Sequence, residues 1–203
     1  MTATEQDSRP PLQVLADLAE AVADIHQLLL LDAAWTGAER RSDDYTAGDR
    51  TTLAILGSRI DDGLASMERH AVTLRNTFAT YPGWLNASIR QALSSEHFTA
   101  SFTDSQRSDI RRVLAAEDDD FAARGVALAD ELAAGVPRER EELGRKLRDL
   151  RDGGPVVTDI DMETACTVGT LGGMGALAIC VAFEMPIGCV AGGGILLVVI
   201  ALC

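Results

Sequence analysis

Four cysteines are the residues best suited to covalent chemistry in this sequence, and all of them lie in the segment 155–203. Cys166 and Cys180 are fourteen residues apart, as are Cys189 and Cys203. Fourteen residues extend about 21 Å along a helix, whereas a disulfide needs Cα atoms within about 7 Å of each other. Neither pair is therefore expected to form a bridge within one straight helix.

The cysteines are placed symmetrically about the bond between Glu184 and Met185, and Pro186 there favours a break in the helix. An antiparallel helical hairpin with its turn at these three residues would bring the inner cysteines together near the turn. It would also bring the outer cysteines together at the open end. The predicted disulfides join Cys180 to Cys189 and Cys166 to Cys203.

Glycines in the two arms of this hairpin are spaced for close packing. Gly169 and Gly173 are four residues apart in the first arm, and Gly188 and Gly192 in the second. Such pairs let helices approach closely in an apolar medium; the alternative is that the glycines only add flexibility. The second arm, 187–203, would extend about 25 Å as a helix, short of a hydrocarbon core of about 30 Å. We therefore favour a membrane-inserting hairpin over an ordinary anchor.

Other candidate sites are weaker. His26, His70 and His97 lack the spacing of metal ligands, so we expect them at the surface or at the edge of the core. The acidic run 117–120 lacks the glycine and glutamate of a calcium-binding loop and is interpreted as a solvated helix face. The sequence contains no catalytic or phosphate-binding motif, so we expect neither an enzyme nor a cofactor.

The chain before the cysteines predicts an all-α fold, because its apolar residues recur every three or four positions. Helices are predicted over 12–34, with Gly37 as the stop, over 53–78 and over 84–93.

Two more helices are predicted before the cysteine-containing segment. Thr103 and Gln106 have the spacing of a capping box, so a fourth helix is expected to begin there. Gly135 is expected to end it, and Pro137 to begin the fifth helix. The whole is predicted as an N-terminal helical bundle followed by a small, apolar, disulfide-stapled helical hairpin.

A sharp change in composition suggests a domain boundary. The net charge is −13 and no Lys or Arg follows Arg151, so we expect no nucleic-acid partner. The predicted parts are a bundle over 1–151, a linker over 152–154 and an apolar peptide over 155–203. Gly153 and Gly154 resemble the double glycine at which exporters cut bacteriocin leaders, although the two residues by themselves favour a helix stop and linker.

The chain resembles precursors of cysteine-containing bacteriocins of haloarchaea, the halocins, and related bacterial peptides. The resemblance lies in an acidic, arginine-biased N-terminal region followed by a peptide that opens with Asp-Ile-Asp at 159–161 and is rich in Gly, Ala, Val and Cys. It covers about the last fifty residues. It implies a secreted peptide that acts on the membrane of target cells, and a pro-region or immunity module that binds the peptide.

The same resemblance implies an exporter or processing protease as partner. The precursor would be cytoplasmic or membrane-associated, and its mature peptide would be secreted. The first twenty residues lack the basic and apolar regions of a secretory signal. An alternative is a tail-anchored membrane protein with a cytosolic helical interaction domain. Lanthionine-type modification is a weaker alternative, because Cys189 and Cys203 lie far from the threonines of the segment.

Overall fold

Five helices make up the part of the chain that the computed structural model describes, which is residues 9–39, 46–95, 104, 107, 108, 120–153 and 162–183. No strand occurs within these ranges, which confirms the all-α prediction. In chain order, the helices are α1 (Leu12–Glu39), α2 (Ala47–Thr80), α3 (Pro82–Ser94), α4 (Phe121–Arg151) and α5 (Met162–Phe183).

Helix α1 follows the predicted apolar stripe but continues beyond the predicted end. Leu18, Ile25 and Leu28 are buried along it, and the helix runs through Gly37 to Glu39. Trp35 explains the extension: its ring lies over Gly57 of α2, where the absence of a side chain leaves room for it. Burial of this large aromatic side chain stabilises another turn of α1.

Helix α2 begins with a capping box and lies antiparallel to α1. The Thr46 side chain accepts a hydrogen bond from the Asp49 backbone N–H, while the Asp49 carboxylate accepts from the Thr46 backbone. The Thr46 hydroxyl also donates to the Asp49 carboxylate. This bond, followed by the one from the Thr46 backbone N–H, lowers the pKa of Asp49. Further along, Leu28 of α1 packs at Gly63 of α2. The long apolar stripe of α2 is buried, as the sequence predicts.

Helix α4 differs most from the prediction. It is one helix that passes through Gly135 and Pro137, so the predicted stop and restart there are wrong. Pro137 is exposed, so the carbonyl left without an N–H partner by the proline can be hydrated. The turns on both sides are anchored by buried side chains, including Leu132, Val136 and Leu143. Their burial outweighs the cost of about 3 kcal/mol for an internal proline.

The start of α4 also differs from the prediction. Asp120 is the N-cap, and its carboxylate accepts hydrogen bonds from the backbone N–H groups of Ala122 and Ala123. Asp120 is therefore a helix cap and not part of a solvated helix face. The capping pair Thr103 and Gln106 and the other acidic residues, 117–119, lie outside the described residues.

Candidate functional site

Helix α5 is an apolar helix that is buried on almost every side. Its sequence contains a single charged residue, Glu163. The residues at 167–169, 171–175 and 177–179 are buried, and Leu171 and Leu177 have no exposed surface at all. Helices α1, α3 and α4 contact it. We call the surface of these three helices that contacts α5 the cradle.

Glycines of α5 bring α1 close to it. A Cβ atom at Gly172 would lie 2.5 Å from Cγ2 of Ile25, and one at Gly175 would lie 2.6 Å from Cγ2 of Val22. Real Cβ atoms do not approach another atom so closely. The two glycines are three residues apart and so lie on one face of the helix. That face is shaped to receive the branched side chains of α1.

A glycine of α4 likewise leaves room for side chains of neighbouring helices. Gly125 of α4 lies against the ring of Phe78 of α2, and a Cβ there would lie 3.1 Å from the terminal methyl group of Met174 in α5. Helix α3 completes the cradle with buried apolar side chains, among them Leu85 and Ile89. The cradle therefore contacts α5 through apolar side chains on several sides.

Arginine side chains bind carbonyl groups at two helix ends near this site. Arg50 of α2 donates a hydrogen bond to the Leu150 carbonyl oxygen, 3.1 Å away, in the last turn of α4. Arg9, in front of α1, donates to the Ala182 carbonyl oxygen near the end of α5. Cations at a helix C-terminus interact favourably with the partial negative charge of its carbonyl groups.

The predicted linker begins at an exposed turn. Gly153 follows α4 with φ of +83°, a backbone conformation that favours glycine. It is exposed, and a Cβ there would meet no atom within 4 Å. Gly154 lies outside the described residues. At Gly153 the chain is therefore accessible to solvent.

The predicted cysteine and glycine positions fall partly within the described chain. Cys166 and Cys180 both lie in α5, but the positions of their side chains are outside what the structure describes. Gly169 and Gly173 are buried in the same helix, and their role in hairpin packing stays a prediction. The remaining predicted residues lie outside the described residues: Cys189, Cys203, Glu184, Met185, Pro186, Gly188 and Gly192.

Gly172 and Gly175, which receive α1, were missed by the sequence reasoning. The glycine pairs predicted to pack are four residues apart, whereas these two are three residues apart. Glycines at positions i and i+3 also share a helix face. Glycines with this spacing, together with branched residues in the apolar stripe of a second helix such as α1, are the sequence pattern that would have predicted the contact.

A pair of polar side chains joins α1 to α2. Nε2 of His70 lies 2.8 Å from Oδ2 of Asp24, which links α1 to α2. His70 is buried and His26 is partly exposed, while His97 lies outside the described residues. Across the described ranges, no three His, Cys, Asp or Glu side chains come close enough together to hold a metal ion.

A second polar junction joins α3 to the start of α4. The Asn86 amide donates to Oδ1 of Asp120 at 2.9 Å and accepts from the Ala122 backbone N–H, also at 2.9 Å. The hydrogen bond from Asn86, followed by that from the Ala123 N–H, lowers the pKa of the Asp120 carboxyl group. Because these polar groups are used in joining helices, they position the walls of the cradle.

None of the helices in the part of the chain that the structure describes is both long and apolar enough to cross a membrane. No protein-family model, curated protein or solved structure matches the chain.

Proposed function

We propose that the chain is the precursor of a secreted antimicrobial peptide of the halocin or bacteriocin type. In this proposal, the helices of 1–151 are a pro-region or immunity module that holds the apolar peptide of 155–203. The released peptide acts on the membrane of target cells. The partners are that membrane and an exporter or processing protease.

The proposal is carried by one observation, the burial of α5 in the cradle. Fully burying a Leu, Val or Met side chain contributes roughly 1.5–3 kcal/mol. Val168, Leu171, Met174 and Leu177 of α5 are all buried. A helix with so little polar surface would bind membranes or aggregate if it were exposed, and a pro-region that shields it would prevent both.

The finer architecture belongs to the same proposal. After release, the peptide forms a hairpin that turns at Glu184, Met185 and Pro186. Gly169 and Gly173 of its first arm pack against Gly188 and Gly192 of its second. Each of two disulfides would contribute about 3 kcal/mol by restricting the unfolded chain. The proposed disulfides are Cys166 with Cys203 and Cys180 with Cys189.

Cleavage at Gly153 and Gly154 would separate the peptide from the bundle. Exposed turns are preferred sites of proteolysis, and Gly153 lies in such a turn directly after α4. The cut would leave α1 to α4 as one continuous chain.

Two measurements test the proposal. Mass spectrometry of the culture supernatant should detect a peptide that ends at Cys203. In parallel, a specific protease site inserted between Gly153 and Gly154 allows the purified chain to be cut in the presence of dye-loaded zwitterionic vesicles, which do not repel a peptide without basic residues. We expect little dye release from the intact chain and strong release after cutting.

The control is the unmodified chain treated with the same protease. Equal dye release before and after cutting would contradict shielding by the bundle. Intact chain confined to cells would contradict secretion. Full-length protein that resists carbonate extraction would favour the tail-anchored alternative.

A further inference from the structure

Helix α5 has no cation of its own near its C-terminal end. Its last turn contains no basic residue, and no Lys or Arg follows Arg151 in the whole sequence. The carbonyl groups at the end of a helix carry partial negative charge, which a nearby cation stabilises. Arg9 supplies a cation at this end of α5, because it donates to the Ala182 carbonyl oxygen from 173 residues earlier in the chain.

The residues around Arg9 hold it against α1. Pro10, the next residue, is buried, and the Pro11 carbonyl oxygen accepts from the Leu15 backbone N–H at 3.1 Å, at the start of α1. Helix α1 then contacts the face of α5 that contains Gly175 and Gly172. One continuous segment, 9–25, therefore contacts α5 along its glycine face and at its C-terminal end.

We propose that Arg9 is a latch that holds the C-terminal end of α5 in the cradle. This inference rests on the proposed function, because it concerns how the peptide is retained and released. The latch and the linker are separate connections. A cut at Gly153 leaves the hydrogen bond from Arg9 to Ala182 intact, so the latch slows the departure of α5 after the cut.

The latch adds to the burial of α5 and breaks when α5 leaves the cradle. Arg50 provides the contrast, because it caps α4, which stays with the bundle before and after the cut.

Hydrogen exchange of the intact full-length chain, followed by mass spectrometry, tests the latch. In Arg9→Gln, the last two turns of α5 should exchange about fivefold faster, because one charge-assisted hydrogen bond to a helix end is lost. Exchange in α2 and α4 should stay unchanged. Arg9→Lys keeps the charge and should recover much of the protection, and a chain that begins at residue 10 should behave like Arg9→Gln.

Two matched variants locate the effect. Arg50→Gln should accelerate exchange at the end of α4, where its carbonyl partner lies, and leave the end of α5 unchanged. Arg75→Gln, which removes an exposed ion pair between α2 and α4, should leave α5 unchanged.

Three outcomes would overturn the latch. They are wild-type exchange in Arg9→Gln, wild-type exchange in the chain that begins at residue 10, and an increase spread equally over α2, α4 and α5. The last would mean that Arg9 contributes only general stability. These measurements use uncut protein and no membrane, so absence of a secreted peptide would contradict the proposed function without affecting them.

Discussion

Helices α2 and α5 are both packed along their length, yet their sequences differ in kind. Helix α2 buries one stripe and exposes charged residues such as Glu68, Arg69 and Arg75 on its other side. Helix α5 has no such side among its described residues, because eleven of them are buried and the other four, at 170, 176, 181 and 182, are partly buried. In α2, apolar residues recur every three to four positions and so identify the buried face. A helix that is apolar on all sides shows no such periodicity.

The two helices also differ in what aligns them with their neighbours. Charged pairs flank the interface between α2 and α4: Arg140 donates to Asp61, and Arg75 donates to Asp130. The contact between α5 and α1 involves glycines and branched apolar side chains. The first interface is aligned partly by charge and the second by shape, and this contrast can be tested by substitution.

The largest expected effect tests whether α5 belongs to the same core as α2. Leu171→Ala in α5 and Leu74→Ala in α2 each remove a side chain with no exposed surface. Each should lower the free energy of unfolding by about 3 kcal/mol, because lost burial and a cavity both contribute. Urea unfolding measures the loss. Leu30→Ala, at a mostly exposed leucine of α1, is the control and should change stability little.

A loss below about 0.5 kcal/mol for Leu171→Ala, beside a full loss for Leu74→Ala, would contradict burial of α5 in the cradle. Equal losses with one unfolding transition would place both helices in one cooperative unit.

The next prediction tests the role of shape. Gly172→Ala should destabilise the chain by about 1–2 kcal/mol, because its Cβ would collide with Ile25. Gly144→Ala in α4 should instead stabilise it by about 0.5–1 kcal/mol, since alanine favours helix and the nearest atom is an arginine nitrogen 3.6 Å away. Thermal unfolding separates the two signs. Stabilisation by both substitutions would show that α1 does not approach α5 closely.

The amphipathic part of the fold is predictable from the sequence. The stripes of α1, α2 and α3 indicate each helix, because each has one buried side. Gly135 and Pro137 led to an incorrect break in α4, because local propensity was weighed without the burial of Leu132 and Leu143 on either side. The predicted end of α1 was too early for a similar reason. Trp35 is buried over Gly57, and the space that it fills exists only in the folded protein.

The candidate site was less predictable. The apolar character of 162–183 suggests membrane insertion, but protein side chains can cover an apolar helix as lipid does. The loss of basic residues after Arg151 accompanies the change from partly exposed helices to a core helix. The contacts between glycines of α5 and branched side chains of α1 depend on how the two antiparallel helices are aligned. The spacing of residues in the sequence does not specify that alignment.

A smaller effect is expected at the junction between α3 and α4, which helps to form the cradle. Asn86→Ala should lower stability by about 1 kcal/mol at pH 7, because it removes two hydrogen bonds at the start of α4. The lowered pKa of Asp120 means that its contribution is present above the unfolded value of about 3.9 and is lost as the pH falls through the folded pKa.

The difference in free energy of unfolding between wild type and Asn86→Ala should therefore shrink as the pH is lowered from 5 to 2. These two pH values lie about one to two units on either side of the pKa of an unfolded Asp carboxyl group. Urea unfolding across this range measures it. Asn76→Ala, at an exposed position of α2, is the matched control and should show a small difference at every pH. A difference for Asn86→Ala that stays constant in acid would contradict a contribution from the Asp120 carboxylate.

The smallest expected effect concerns the charges that flank α2 and α4. The Asp61 carboxylate accepts two hydrogen bonds from Arg140, at 2.9 and 3.3 Å, and by doing so raises the pKa of that guanidinium. Both side chains are more than a third exposed. A double-mutant cycle with Asp61→Ala and Arg140→Ala should therefore give only a small coupling at low salt, and a still smaller one in 1 M NaCl.

A double-mutant cycle on the pair Asp130 and Arg75 provides a comparison. Its side chains are 55% and 49% exposed, against 39% and 37% for Asp61 and Arg140, so solvent screens it more and its coupling should be smaller. Gly172→Ala, where no charge is changed, should cost the same free energy at both salt concentrations. If the free-energy cost of Gly172→Ala fell with salt as the ion-pair couplings do, the hypothesis that shape alone aligns α5 would be wrong. Charge would then contribute to the contacts of the cradle as it does to those between α2 and α4.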